Sequence, residues 1–156
     1  MEAKKFRERR RAIFAYAPLL LWVGVIFLLS SDHGSLSRTS MIIRPALTLL
    51  FPAASEETLQ IYHVFVRKAA HFSEYAVLAL LAARSLLTSH MPALSRFWFA
   101  FAIAIVLFTA VADEFNQGFS DLRTGSANDV AIDVLGGLAA LLGIWLFRFR
   151  LKKSQD

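Results

Sequence analysis

Four long apolar segments constrain the fold of this chain more than any other feature. The first, residues 12–30, contains no charged residue. As an α-helix it reaches about 28 Å, close to the ~30 Å hydrocarbon core of a bilayer. Residues 63–87, 97–112 and 130–147 form the others. Since hydrophobic residues make up 56% of the chain, more than soluble domains usually carry, the sequence predicts an all-α integral membrane four-helix bundle.

The distribution of basic residues predicts the orientation of this bundle. Six lysines and arginines lie in residues 1–11 and four in residues 148–156, and Arg84 and Arg96 flank the connection between the second and third spans. Positive residues favour the cytoplasmic side, so both tails and this connection are expected there. We therefore predict a multi-pass cell-membrane protein with a basic tail at 1–11, a membrane domain at 12–147 and a second basic tail at 148–156. This clustering beside apolar runs argues against nucleic-acid binding.

Two features of the first outer loop carry further expectations. Residues 41–51, MIIRPALTLLF, are apolar but too short to span, so we expect an interfacial segment at the membrane surface. Ser55 precedes two glutamates and is expected to cap the N-terminus of the second spanning helix.

Polar residues gather at the outer ends of all four spans. A charged group inside the membrane costs about 2.5–3.5 kcal/mol on insertion scales, so their convergence at one depth predicts a polar pocket on the extracytoplasmic side. Helical spacing places Lys68, His71 and Tyr75 on one face. Lys68 is expected to form an ion pair with a carboxylate of span three or four, which lowers the insertion cost. Those carboxylates are Asp113, Glu114, Asp129 and Asp133.

Three motifs at these ends resemble the VanZ-like family, named for a small membrane protein associated with teicoplanin resistance. The family's D-E-x-x-Q…R…D…G pattern matches Asp113, Glu114, Gln117, Arg123, Asp129 and Gly136 or Gly137, its K-x-x-H-x-x-x-Y matches Lys68, His71 and Tyr75, and its serine pair matches Ser30 and Ser31. Asp133 departs from the family, in which many members have asparagine. The resemblance implies a cell-envelope role, with glycopeptide resistance as one candidate, but it supplies no reaction.

The residue types at this face suggest a site for an anionic headgroup or a lipid-linked precursor. Lys68 and Arg123, with Arg67 as a third candidate, would hold phosphate. His71 would transfer protons because its unperturbed pKa is about 6.5. We assign His71, Asp113 and Glu114 as candidate catalytic residues. The candidate substrate-binding residues are Ser31, Lys68, Tyr75, Gln117, Arg123 and Asp129.

Other interpretations of the same residues stay open. The charges could form an intramembrane salt-bridge network that only fixes helix packing. A divalent-metal site built from the carboxylates is a further alternative, although the spacing matches no known metal signature. The protein could thus be an enzyme, a non-catalytic binder or small transporter, or a structural partner of an envelope complex. A transporter of this size would need to form a homo-oligomer.

Overall fold

The predicted all-α fold is confirmed. A computed structural model describes residues 2–30, 36–117 and 126–153, which form six α-helices and no β-strand. The helices are α1 (Glu2–Leu29), α2 (Leu36–Leu50), α3 (Glu56–Leu87), α4 (Pro92–Arg96), α5 (Trp98–Gln117) and α6 (Ala127–Lys153).

Helix α3 begins where the sequence predicts it. The Ser55 side chain accepts a hydrogen bond from the Thr58 N–H, and Glu56 and Glu57 occupy the first turn, where carboxylates favour the helix dipole. The helix has 32 residues and is about 48 Å long. It is therefore longer than a hydrocarbon core is thick, and part of it extends beyond the segment predicted to span.

Helix α1 packs antiparallel to α3 through two side-chain hydrogen bonds. Trp22 Nε1 donates to the Glu74 carbonyl over 2.9 Å, and Ser85 Oγ donates to the Ala15 carbonyl over 2.6 Å. The two bonds lie near opposite ends of the paired segments. They bring the last turn of α1 to about the level of Lys68 and His71 on α3.

Helix α6 approaches α3 closely at Gly136 and α5 closely at Gly137. A Cβ atom at Gly136 would collide with the Phe72 carbonyl group of α3, and one at Gly137 would meet the Val106 side chain of α5. Small residues at these two positions thus permit close helix packing. This contact sets the register between α3 and α6, on which the polar side chains described below depend.

Helix α2 covers the segment that the sequence predicts at the membrane surface, and it starts earlier, at Leu36 rather than at residue 41. It packs against α3. Arg44 forms an ion pair with Glu56 at the start of that helix. A groove of about 850 Å³ runs along α2 between Ser40 and Pro52.

Two helices in the described part of the chain are long and apolar enough to cross a membrane, Trp98–Gln117 and Ala127–Leu151. The first predicted span is represented by a shorter apolar helix, Ile13–Leu29, and the second lies in α3, which also carries Arg67, Lys68 and Glu74. Many large apolar side chains on these helices are exposed, Phe108 at 77% and Leu20 at 69% among them. Such surfaces suit contact with lipid.

Candidate functional site

Ser30, Asp113 and Gln117 form a buried hydrogen-bonded network where α1 and α5 end. Ser30 Oγ donates to Asp113 Oδ2 over 2.6 Å, and Gln117 Nε2 donates to the same oxygen over 2.9 Å. Gln117 Nε2 also lies 3.3 Å from Ser30 Oγ. Because Asp113 and Gln117 are one turn apart on α5, one helix face presents both groups to the end of α1. The network holds the Asp113 carboxylate in a fixed orientation.

Lys68 and Asp129 lie across the entrance to the α3–α6 interface. Lys68 Nζ is 3.8 Å from Asp129 Oδ1, and the two side chains are 45% and 28% exposed. The predicted ion pair between Lys68 and a carboxylate is present, and its partner is on α6. At this exposure solvent screens the attraction, so its contribution to stability is small.

His71 faces Asp133 one turn deeper in the same interface. His71 Nδ1 lies 3.3 Å from Asp133 Oδ1, and the side chains are 12% and 0% exposed. The distance is that of an ion pair, but the geometry is not that of a hydrogen bond, since neither atom has a hydrogen-bond partner. The contact leaves His71 Nε2 as the ring nitrogen that does not face Asp133.

Glu114 connects the end of α5 to the start of α6. Its Oε1 accepts a hydrogen bond from the Ser126 N–H, directly before the first turn of α6, which holds Asp129. The side chain is 9% exposed. Glu114 therefore draws the beginning of α6 towards the Ser30–Asp113–Gln117 network.

Tyr75 lies between the α1–α5 network and the α3–α6 pairs. It is fully buried, and its hydroxyl has no hydrogen-bond partner among the described residues. The carboxylates that act on it electrostatically include Asp113 of α5 and Asp133 of α6. Four helices thus bring polar side chains to one end of the structure, which we call the polar cluster. Its described members are Ser30, Lys68, His71, Tyr75, Asp113, Glu114, Gln117, Asp129 and Asp133.

The cluster contains most of the residues selected from the sequence, and it adds two. Ser31 and Arg123 lie outside the described residues. Among the described residues, Ser30 is the serine whose hydroxyl donates to Asp113. The sequence indicates Asp133 only as a partner of lysine or of a metal, yet it is the residue that faces His71. Its spacing of four from Asp129 was the signal that could have selected it.

The described residues contain no group of three histidine or acidic side chains arranged to hold a metal ion. What the cluster offers instead is a set of buried carboxylate oxygens and a buried phenol beside cationic groups at the entrance. Such a set can orient a polar ligand by hydrogen bonds and exchange protons with it.

A protein-family model described as VanZ/LLP1 matches residues 15–149. The match covers most of the chain and includes every described member of the polar cluster. No curated protein and no solved structure matches the chain.

Proposed function

The chain belongs to the VanZ/LLP1 family, and from this membership and the polar cluster we propose that it is a cell-envelope membrane protein acting on an anionic lipid headgroup or a lipid-linked envelope precursor. One observation carries the proposal: the polar side chains of four helices lie together at one end of the structure. The opposite ends of α3, α5 and α6 carry no carboxylate, and basic residues lie in or beside each of them. Contribution to glycopeptide resistance is the physiological role that we propose for this activity.

The proposed membrane arrangement is a four-helix bundle of α1, α3, α5 and α6 with both termini in the cytoplasm. Helix α1 is antiparallel to α3, as shown by the hydrogen bonds from Trp22 to Glu74 and from Ser85 to Ala15. Alternating directions suit four successive crossings. The polar cluster then faces outwards, since the basic residues favour the cytoplasmic side at the opposite ends.

Single cysteines test this orientation, because the chain contains none of its own. Ala53→Cys, in the exposed segment between α2 and α3, is expected to react with a membrane-impermeant maleimide in intact cells. His90→Cys, in the exposed segment after α3, is expected to react only after the membrane is permeabilised. The reverse pattern would place the polar cluster on the cytoplasmic side.

Within the site, each group has a proposed role. Lys68 and Arg123 attract the anionic part of the ligand to the entrance. His71 moves a proton at the reacting group, with Asp113 and Glu114 as the fixed carboxylates beside it. Ser31, Tyr75, Gln117 and Asp129 contact the rest of the ligand. A binder or small transporter would use the same contacts without the proton transfer, whereas a structural partner would need none of them.

Lipid retention tests the proposed ligand class. The protein purified in a mild detergent is expected to retain anionic phospholipid in preference to zwitterionic phospholipid, as measured by native mass spectrometry. Lys68→Ala should reduce the retained anionic fraction several-fold, because it removes the exposed cation at the entrance. Arg84→Ala, at the opposite end of α3, is the matched control. Equal retention in both variants would mean that the lipid binds elsewhere.

A further inference from the structure

A row of buried polar atoms on α3 lacks hydrogen-bond partners among the described residues. The atoms are Arg67 Nη1, His71 Nδ1 and the Tyr75 hydroxyl, and both carboxylate oxygens of Asp133 on α6 share this condition. The three α3 residues are spaced by four, so they lie along one face of the helix. His71 and Asp133 are 3.3 Å apart, which places this face against α6.

Buried polar groups in native proteins are almost always hydrogen-bonded. Several unpaired polar atoms along one helix face therefore point to a ligand that forms the missing hydrogen bonds. The two ends of the row differ in their chemistry. Tyr75 and Asp133, at the deep end, are fully buried. Arg67, at the entrance, is half-buried. Arg67 lies one turn, or about 6 Å along α3, from His71, and Asp133 Oδ1 faces His71. A ligand of the length of glycerol phosphate can therefore contact both Arg67 and Asp133.

The chemistry of the entrance fits a phosphate group. Arg67 presents a planar guanidinium, which binds phosphate through two parallel N–H donors. Its neighbour Lys68 is already paired with Asp129, whereas Arg67 has no ion pair in the described part of the chain. Among the described residues of the polar cluster and its entrance, Arg67 is therefore the cation with an unpartnered donor, Nη1, for an anion.

The chemistry of the deep end fits hydroxyl groups. Asp133 Oδ1 faces His71, and its other oxygen can accept a hydrogen bond from a ligand. A carboxylate can only accept, so the ligand must supply a donor there. The Tyr75 hydroxyl can both donate and accept, and so can the hydroxyl group of a polyol.

We propose that the slot between α3 and α6 binds a phosphorylated polyol, with the phosphate on the Arg67 guanidinium and a hydroxyl group on the Asp133 carboxylate beside Tyr75. The inference rests on the proposed function and narrows its ligand class. A soluble polyol phosphate and the polyol-phosphate headgroup of a lipid present the same chemistry to these residues.

Thermal stabilisation of the full chain in detergent tests the slot with three probes: inorganic phosphate, glycerol phosphate and glycerol. Glycerol phosphate is expected to bind the wild-type protein more tightly than phosphate, and glycerol should have no effect at the same concentration. Arg67→Gln should raise the apparent Kd for both phosphate compounds about tenfold or more, since it removes a charge-assisted contact. Asp133→Asn should abolish the advantage of glycerol phosphate over phosphate.

Arg84→Gln and Glu57→Gln are the matched controls, because both residues are exposed on α3 away from the slot. If Asp133→Asn does not fold, Arg67→Lys serves as the second variant. It keeps the charge but loses the planar fork, so binding should weaken relative to wild type. To distinguish a lipid headgroup from a soluble ligand, the stabilisation by phosphatidylglycerol in phosphatidylcholine nanodiscs is compared with that by soluble glycerol phosphate. A response to either supports the slot.

Three results would overturn the inference: no stabilisation of the wild-type protein by phosphate, glycerol phosphate or phosphatidylglycerol, equal binding by Arg67→Gln and wild type, or equal affinity for phosphate and glycerol phosphate where both bind. Phosphate binding that depends on Lys68 but not on Arg67 would reject this slot. The broader proposal of an anionic-headgroup site would then stand on the lipid-retention experiment.

Discussion

Gly136→Ala is expected to lower strongly the amount of folded protein in the membrane. The new methyl group would collide with the Phe72 backbone carbonyl of α3, and a backbone atom cannot move aside as a flexible side chain can. Overpacking of this kind costs about 3 kcal/mol, a large part of the stability of a small domain. Membrane abundance and the thermal unfolding midpoint of purified protein measure the effect.

Gly143→Ala is the matched control for this prediction. It makes the same substitution on the same helix, but no atom lies within 4 Å of the added methyl group. Since alanine has a higher helix propensity than glycine, the variant should be unchanged or more stable by up to about 1 kcal/mol. Similar losses in both variants would show that glycine is needed for a reason other than the contact with Phe72.

The glycine contact also bears on the polar cluster. It lies one turn of α6 beyond Asp133, and Phe72 directly follows His71 in α3. Any separation of the two helices at this point therefore widens the gap between His71 and Asp133. The tight packing of an apolar contact thus sets the geometry of the polar groups one turn away.

The helical fold could be predicted from the sequence because hydrophobic runs and charge placement each give a direct signal. The Ser55 cap and the close approach at Gly136 and Gly137 were likewise visible, since capping and small-residue packing depend on local sequence. The extension of α3 back to Glu56 was foreseen from that cap. The helical state of residues 2–11 could not be foreseen in the same way, because basic residues beside a span indicate orientation and not secondary structure.

The pairing within the cluster could not be predicted from helical spacing alone. Spacing places Lys68 and His71 on one face of α3, but it does not give the rotation of α6 or its depth relative to α3. Those are set by the glycine contact, which brings Asp129 to Lys68 and Asp133 to His71.

His71→Gln is expected to abolish function while leaving the protein folded. Glutamine is similar in length and its amide N–H can donate a hydrogen bond to Asp133. A polar group thus stays beside the buried carboxylate, and stability should change by less than about 1 kcal/mol. Glutamine cannot transfer a proton at neutral pH. Loss of a general acid–base group lowers rates by about 10²–10⁴-fold. His90→Gln, in the exposed segment at the other end of α3, is the matched control.

The most direct test of whether the polar cluster is a working site is teicoplanin susceptibility of the host, normalised to the membrane abundance of each variant. If the cluster is a working site, we expect wild-type abundance with lost protection for His71→Gln, and full protection for His90→Gln. A network that only fixes helix packing predicts that protection follows abundance in every variant. Full protection by His71→Gln at wild-type abundance would contradict the proposed role of this cluster.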